Sequence, residues 1–182
     1  MSQVLEQLRL DHGRMRQLLR IIEEQLALYR SGGAPDFDLL GQIIEYTLHF
    51  PDLVHHPKED LVYNRLLQRD PASADEILDL LTDHARLGAL TRRFAAALRN
   101  VAHDVELPRD LFEGVAREYL EETRRHMELE ETEFFPRALL RLESKDWSEI
   151  EAAIASPEDP LFGDRLADEY RKLHQLILEL IE

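Results

Sequence analysis

The chain has 182 residues, 44% of them hydrophobic and 32% charged, and a formal net charge of −15. That length suits one domain with a sizeable core, and the acidic balance disfavours nucleic acids and anionic membranes as partners. With no cysteine, disulfides, thiol chemistry and Cys-ligated zinc or iron–sulfur sites are excluded.

The N-terminus, Met1-Ser2-Gln3-Val4, has no basic segment followed by an apolar one, and no apolar run nears the ~18 residues of a membrane span. A cytoplasmic protein with no signal peptide is expected. The first helix is predicted over about 2–30, with an apolar stripe through Leu5, Leu8, Met15, Leu19, Ile22 and Leu26. Ser31-Gly32-Gly33-Ala34-Pro35 reads as a turn. The second helix follows over about 37–69, through Leu40, Ile44, Leu48, Val62 and Leu66, and Pro51 should kink or split it.

Asp70-Pro71 marks the next turn. The third helix starts after Ser73, where Ser73 and Glu76 form a capping-box pattern, and runs through Ile77, Leu80, Leu87, Phe94 and Leu98 to about 102. Val105-Glu106-Leu107-Pro108 is a third turn. The fourth helix starts near Pro108 and carries Phe112, Val115, Tyr119 and Phe134, with Pro136 expected to bend or end it before about 142. Beyond it, Ser144–Trp147 reads as a loop entering a short helix, and residues 157–163 as another loop. A last helix over 164–181 has Leu166, Tyr170, Leu173, Ile177 and Leu180 on its apolar face. The economical fold is all-α: an up-down-up-down four-helix bundle over residues 1–143. The extension 144–182 is expected to pack on the bundle or to mediate homodimer contacts.

His55 and Glu59 stand four apart, as do His126 and Glu130, so each pair shares one helix face. His12 and His84 sit within the apolar stripes of the other two helices. His12 lies 18 residues before position 30, and His55 lies 18 after position 37. At about 1.5 Å per residue they share a layer in an antiparallel pair, and the same comparison brings in His84 and His126. Six polar groups on buried faces are costly unless paired, and a metal pair satisfies them. Imidazole with carboxylate, without thiolate, suits iron, manganese or zinc. Two ions in a carboxylate-bearing bundle favour iron, ahead of manganese or zinc.

These segments give the sequence its resemblance to a family: Leu8-Arg9-Leu10-Asp11-His12, His55-His56-Pro57-Lys58-Glu59-Asp60, Asp83-His84, and His126-Met127-Glu128-Leu129-Glu130-Glu131 with Phe135-Pro136 after it. Over roughly residues 3–142 the chain resembles the hemerythrin-like, or HHE cation-binding, domain. The resemblance implies a di-iron centre with an oxo or hydroxo bridge, His12, His55, His84 and His126 as terminal ligands, and Glu59 and Glu130 as bridging carboxylates. Oxygen-carrying relatives place two His one turn apart on the third helix. Here Leu80 and Gly88 flank His84, so a direct reading has one imidazole fewer than the carriers. That matches better the cytoplasmic hemerythrin-like proteins and those that repair iron–sulfur centres.

His56, next to His55, points about 100° away on a regular helix. It is expected beside the ligand set, although Pro51 and Pro57 make it the main candidate for a fifth nitrogen ligand. His49 is too far along the axis, and His103 and His174 are expected at the surface. Tyr63, Tyr119 and Glu122 are expected as packing or solvated residues near the pocket. The implied function is a stress-related protein that binds or processes a small oxidant (oxygen, nitric oxide or peroxide), with an electron-donor protein as partner. The alternative is iron storage or delivery for the repair of iron centres.

Overall fold

The computed structural model describes residues 2–76, 80–103, 108–154, 159–163 and 170–181, and among them there is no strand. Helix α1 spans Gln3–Arg30 and ends where Gly32 takes a positive φ of 77°, the backbone conformation glycine adopts without steric cost. Helix α2 spans Phe37–Phe50 and is capped by Asp36, whose carboxylate accepts the Leu39 N–H at 2.9 Å.

Pro51 does not end this rod. A π-helical segment, Pro51–His55, leads straight into α3, His56–Arg69. The His56 N–H reaches back five residues to the Pro51 carbonyl, a wide turn that absorbs a proline inside a helix. The same device recurs around Pro136. Helix α6 (Arg109–Leu129) runs through a π segment at Glu130–Phe134 into α7 (Phe135–Arg141).

The remaining rod is a short turn of helix, α4 (Ser73–Glu76), and α5 (Leu80–Ala102). Ser73 begins α4, but its buried hydroxyl has no hydrogen-bond partner, so the expected cap bond is not made. Ile77, Val105, Glu106, Leu107, Pro157 and Leu166 of the sequence expectations lie outside the described residues.

The four rods enclose two apolar clusters rather than one. The larger holds Leu18, Ile22, Ile43, Tyr46, Phe94, Phe112 and Tyr119. The smaller holds Leu5, Leu8, Val62, Leu66, Phe134 and Phe135. Between them lies a layer of buried His, Glu and Asp side chains.

The C-terminal extension closes on both clusters. Helix α8 (Ser144–Ala153) sends Ile150 into the smaller one, and α9 (Arg171–Ile181) sends Leu173 and Ile177 into the larger. Of the apolar face expected on the last helix, Tyr170, Leu173 and Ile177 pack in the larger cluster, and the side chains of Leu166 and Leu180 lie outside the described residues.

Candidate metal centre

Each rod delivers its polar residues to that layer from an apolar stripe. The structure brings together all six residues singled out in the sequence, at exposures of 0–8%. They fall into two groups of closely spaced ligand atoms. One comprises His12, His55, Glu59 and Glu130, and the other His56, Glu59, His84 and His126.

The carboxylates join the groups. Glu59 Oε1 is 3.0 Å from His55 Nε2, while its Oε2 is 3.3 Å from His84 Nε2. Glu130 Oε2 is 3.2 Å from His12 Nε2, while its Oε1 is 3.1 Å from His126 Nε2. Each carboxylate therefore divides its two oxygens between the two sets of imidazoles.

His56 belongs to this cluster, contrary to the sequence expectation. Its ring stacks on that of His84 with centroids 3.7 Å apart. The expectation treated the centre as one point, toward which neighbouring residues cannot both aim. The centre has two groups side by side, and two residues about 100° apart on one helix straddle them. Glu59, four residues after His55 and three after His56, faces both. The second rod thus brings a fifth imidazole to the cluster, His56, beside the four singled out in the sequence.

The outer ring nitrogens face a second layer of carboxylates. His55 Nδ1 lies 3.4 Å from Asp11, His84 Nδ1 3.8 Å from Asp60, His126 Nδ1 3.5 Å from Asp83 and His12 Nδ1 2.9 Å from Glu131. Glu131 and Asp11 hydrogen-bond their imidazoles, holding the proton on Nδ1 and leaving Nε2 of His12 and His55 as the inward donor, whereas Asp60 and Asp83 face His84 and His126 as charges without a hydrogen bond. Further contacts fix the carboxylates themselves. Asp11 accepts a hydrogen bond from Gln7 at 2.8 Å, and Glu131 pairs with Arg16 at 2.8 Å.

The inward atoms fit a metal better than they fit each other. Both oxygens of Glu59, both of Glu130, and Nε2 of His84 and His126 are buried without a hydrogen bond. Nε2 of His12 and His55 stand 3.1 Å apart, so two lone pairs would face one another unless a cation or proton lies between them. Unpaired buried charges cost several kcal/mol each, and an imidazole–carboxylate donor set holding an ion removes that cost.

The local electrostatics favour cations in the same place. Burial alone would lower the His12 pKa, but Glu130 and Glu59 raise it to about 9. Burial likewise opposes protonation of His55 and His84, yet the neighbouring carboxylates raise them to about 10 and about 9. Against burial and the repulsion of Glu59, the surrounding imidazoles lower Glu130 to about 2. Glu59 is also held well below the usual carboxylate range, chiefly by His55 once its burial is overcome.

A cavity of about 60 Å³ abuts the cluster at His12, His55, His56 and His126. Its far wall carries Tyr119, whose buried phenol is raised in pKa by burial while Thr47 and Thr123 hydrogen-bond to it. Tyr63 packs in the smaller apolar cluster, and Glu122 pairs with Arg86 and Arg125 away from the cavity. His49 is exposed and hydrogen-bonds the Glu45 carbonyl within its own helix, and His103 is exposed as expected. His174 is half-buried, with Nδ1 2.8 Å from the Leu161 carbonyl, where it ties α9 to the preceding loop.

Compared with known proteins, residues 3–138 match the family model described as the hemerythrin HHE cation binding domain. No curated protein and no solved structure matches the chain.

Proposed function

The chain belongs to the hemerythrin HHE cation-binding domain family, and from that premise we propose that it is a non-haem di-iron protein that binds or processes a small oxidant. The observation that carries this reading is the division of Glu59 and Glu130. Each directs one oxygen to the His12–His55 group and the other to the His84–His126 group. His12, His55, His56, His84 and His126 would complete two adjacent coordination sites, three imidazoles on one and two on the other. Iron there supplies redox chemistry and open positions for an oxygen-containing ligand.

The residues around the pair have assignable tasks. The outer carboxylates orient the imidazoles and strengthen them as donors. The apolar walls at Met15, Leu48, Leu87 and Met127 limit water at the cluster. The cavity admits a few atoms and excludes large substrates. Deep burial of all seven donor residues favours a resident centre over iron storage or delivery, in which ions must leave readily. With no cysteine in the chain, electrons come from a partner protein rather than from a built-in thiol.

Metal analysis of the purified protein tests the reading, together with optical spectra as oxygen, nitric oxide or peroxide is added to the reduced form. Two irons per chain and a ligand-dependent spectrum support it. Zinc alone, in protein produced with iron available, refutes it. A stable, reversible oxygen spectrum identifies a binder, and rapid peroxide consumption identifies an enzyme.

A further inference from the structure

Two lines of contact run from the C-terminal extension to His55, and both begin at Asp159. The first is ionic. Arg14 Nη1 stands 3.6 Å from Asp159 Oδ2 and 3.6 Å from Asp11 Oδ1, so one guanidinium lies between a carboxylate of the extension and a carboxylate of the polar layer. Asp11 turns its other oxygen to His55 Nδ1 at 3.4 Å. The second line is aromatic. The Tyr46 hydroxyl donates to Asp159 at 3.2 Å, the Tyr46 ring stacks on Phe50 with centroids 4.9 Å apart, and Phe50 stacks on His55 at 6.3 Å.

Arg14 is anchored on the extension and reaches from there to Asp11. Its Nη2 donates to the Phe162 carbonyl at 3.1 Å, and its guanidinium carbon lies 5.0 Å from the centroid of the Phe162 ring, within cation–π range. The loop that holds it is tied down in turn. Asp159 accepts the N–H groups of Leu161 and Phe162, and His174 of α9 bonds the Leu161 carbonyl. Both carboxylates that face Arg14 are buried, so salt screens this arrangement far less than a surface pair.

The two oxygens of Asp11 do different work. Oδ1 takes Gln7 at 2.8 Å and Arg14 at 3.6 Å, while Oδ2 faces His55 at 3.4 Å and Lys58 at 3.5 Å. A carboxylate held on Oδ1 presents Oδ2 in a fixed direction, which keeps the proton on His55 Nδ1 and aims Nε2 inward. Undocking the extension frees Arg14 from its anchors and strands the buried Tyr46 hydroxyl, and both changes are felt at His55. His84 and His126 are faced instead by Asp60 and Asp83. The extension lies beyond residues 3–138, so the metal-binding domain does not by itself supply these contacts.

We infer that the C-terminal extension is a latch on the metal centre: its Asp159–Phe162 loop, through Arg14, aims His55 and sets the affinity of the ion held by the His12–His55 group. The inference rests on the metal pair proposed above. Arg14 is a positioning residue and belongs to neither donor set. The coupling is reciprocal: the docked loop tightens that ion, and the ion tightens the loop. Whatever displaces the extension loosens one ion and leaves the ion of the His84–His126 group in place.

The test is competition for ferrous iron, in the absence of oxygen, against a chelator of known affinity. Hydrogen exchange is followed alongside in peptides that carry Leu161 and Leu173. The variants are Arg14→Gln, Arg14→Lys and Asp159→Asn. In Arg14→Gln one ion of the two is bound about tenfold more weakly, as expected for loss of an outer partner, and the other is held as in the parent. Lysine restores part of the affinity. Asp159→Asn keeps the shape, removes the charge that faces Arg14 and weakens the same ion, so it carries the test should Arg14→Gln fail to fold. Loading the parent with iron slows exchange in the extension by about the same tenfold, and slows it little in Arg14→Gln. Equal weakening of both ions in the folded variants overturns the inference, as does affinity within a factor of two of the parent, or exchange in the extension that iron leaves unchanged. A parent protein that binds no ion pair overturns the reading beneath it instead.

Discussion

Asp11 directs its carboxylate to Nδ1 of His55, 3.4 Å away, and not to the histidine that follows it in the chain. The same offset recurs in every rod. Asp60, next to Glu59, faces His84; Asp83, next to His84, faces His126; Glu131, next to Glu130, faces His12. The four contacts form a closed circuit, first rod to second, second to third, third to fourth and fourth back to first. A carboxylate adjacent in sequence to one inward residue thus orients an imidazole on the next rod. This links the assembly of the bundle to the aiming of its ligands.

Breaking one contact in the circuit should weaken metal binding without removing a donor. Asp83→Asn retains the shape but loses the charge that faces His126 Nδ1, and iron affinity should fall 10–100-fold. Competition against a chelator of known affinity measures it. Affinity equal to the parent would assign Asp83 a role with Arg125 alone, 3.4 Å away.

The two groups of donors should be separable by stoichiometry. Glu130→Ala removes an oxygen from both, and metal content should fall from two ions toward none. His56→Ala removes a donor from the His84–His126 group only, so about one ion should remain. Elemental analysis distinguishes these outcomes, and two ions retained in His56→Ala would place His56 outside the donor set.

The metal-free protein should lose stability in alkali. Folding raises His12 and His84 to about 9 and His55 to about 10, above the ordinary 6.5. Their contribution is complete below pH 6.5 and is lost as pH rises through 9–10. Glu130, lowered from 4.5 to about 2, contributes fully above 4.5 and loses its contribution as pH falls through 2. The melting temperature of metal-free protein should therefore be highest between about pH 4.5 and 6.5 and fall by pH 9–10. In loaded protein, ions replace the protons, and the alkaline fall should be much smaller. Thermal denaturation of both forms checks this, and a metal-free protein equally stable at pH 6 and pH 10 contradicts it.

The C-terminal extension is fastened through Asp159. This carboxylate accepts the Tyr46 hydroxyl at 3.2 Å and the backbone N–H groups of Leu161 and Phe162 at 2.9 and 3.0 Å. Asp159→Ala leaves the buried Tyr46 hydroxyl without that acceptor and should cost about 1–3 kcal/mol. Adding Tyr46→Phe to Asp159→Ala should recover part of the loss, because it removes the stranded hydroxyl. Urea denaturation measures both variants, and a neutral Asp159→Ala would detach this contact from stability.

The helical rods and the six inward residues were legible in the sequence because helical spacing is a local property. The 3.6-residue period placed Leu8, His12 and Leu19 on one face, and the four-residue spacing paired His55 with Glu59 and His126 with Glu130. Counting residues from each turn was enough to bring four histidines to one height. The absence of cysteine narrowed the donor chemistry without any structure.

Helical periodicity could not show that the rods pass through Pro51 and Pro136 on π turns, because it assumes one turn geometry throughout. Nor could it assign His56, whose place depends on there being two groups of ligand atoms rather than one. The carboxylate circuit joins residues from different rods, as does the covering of the cavity. What the sequence determined by itself was the content and level of the polar layer, since those follow from spacing along single helices. Only the tertiary structure decided which carboxylate serves which imidazole and where a ligand can enter, because both depend on how neighbouring helices rotate and pack.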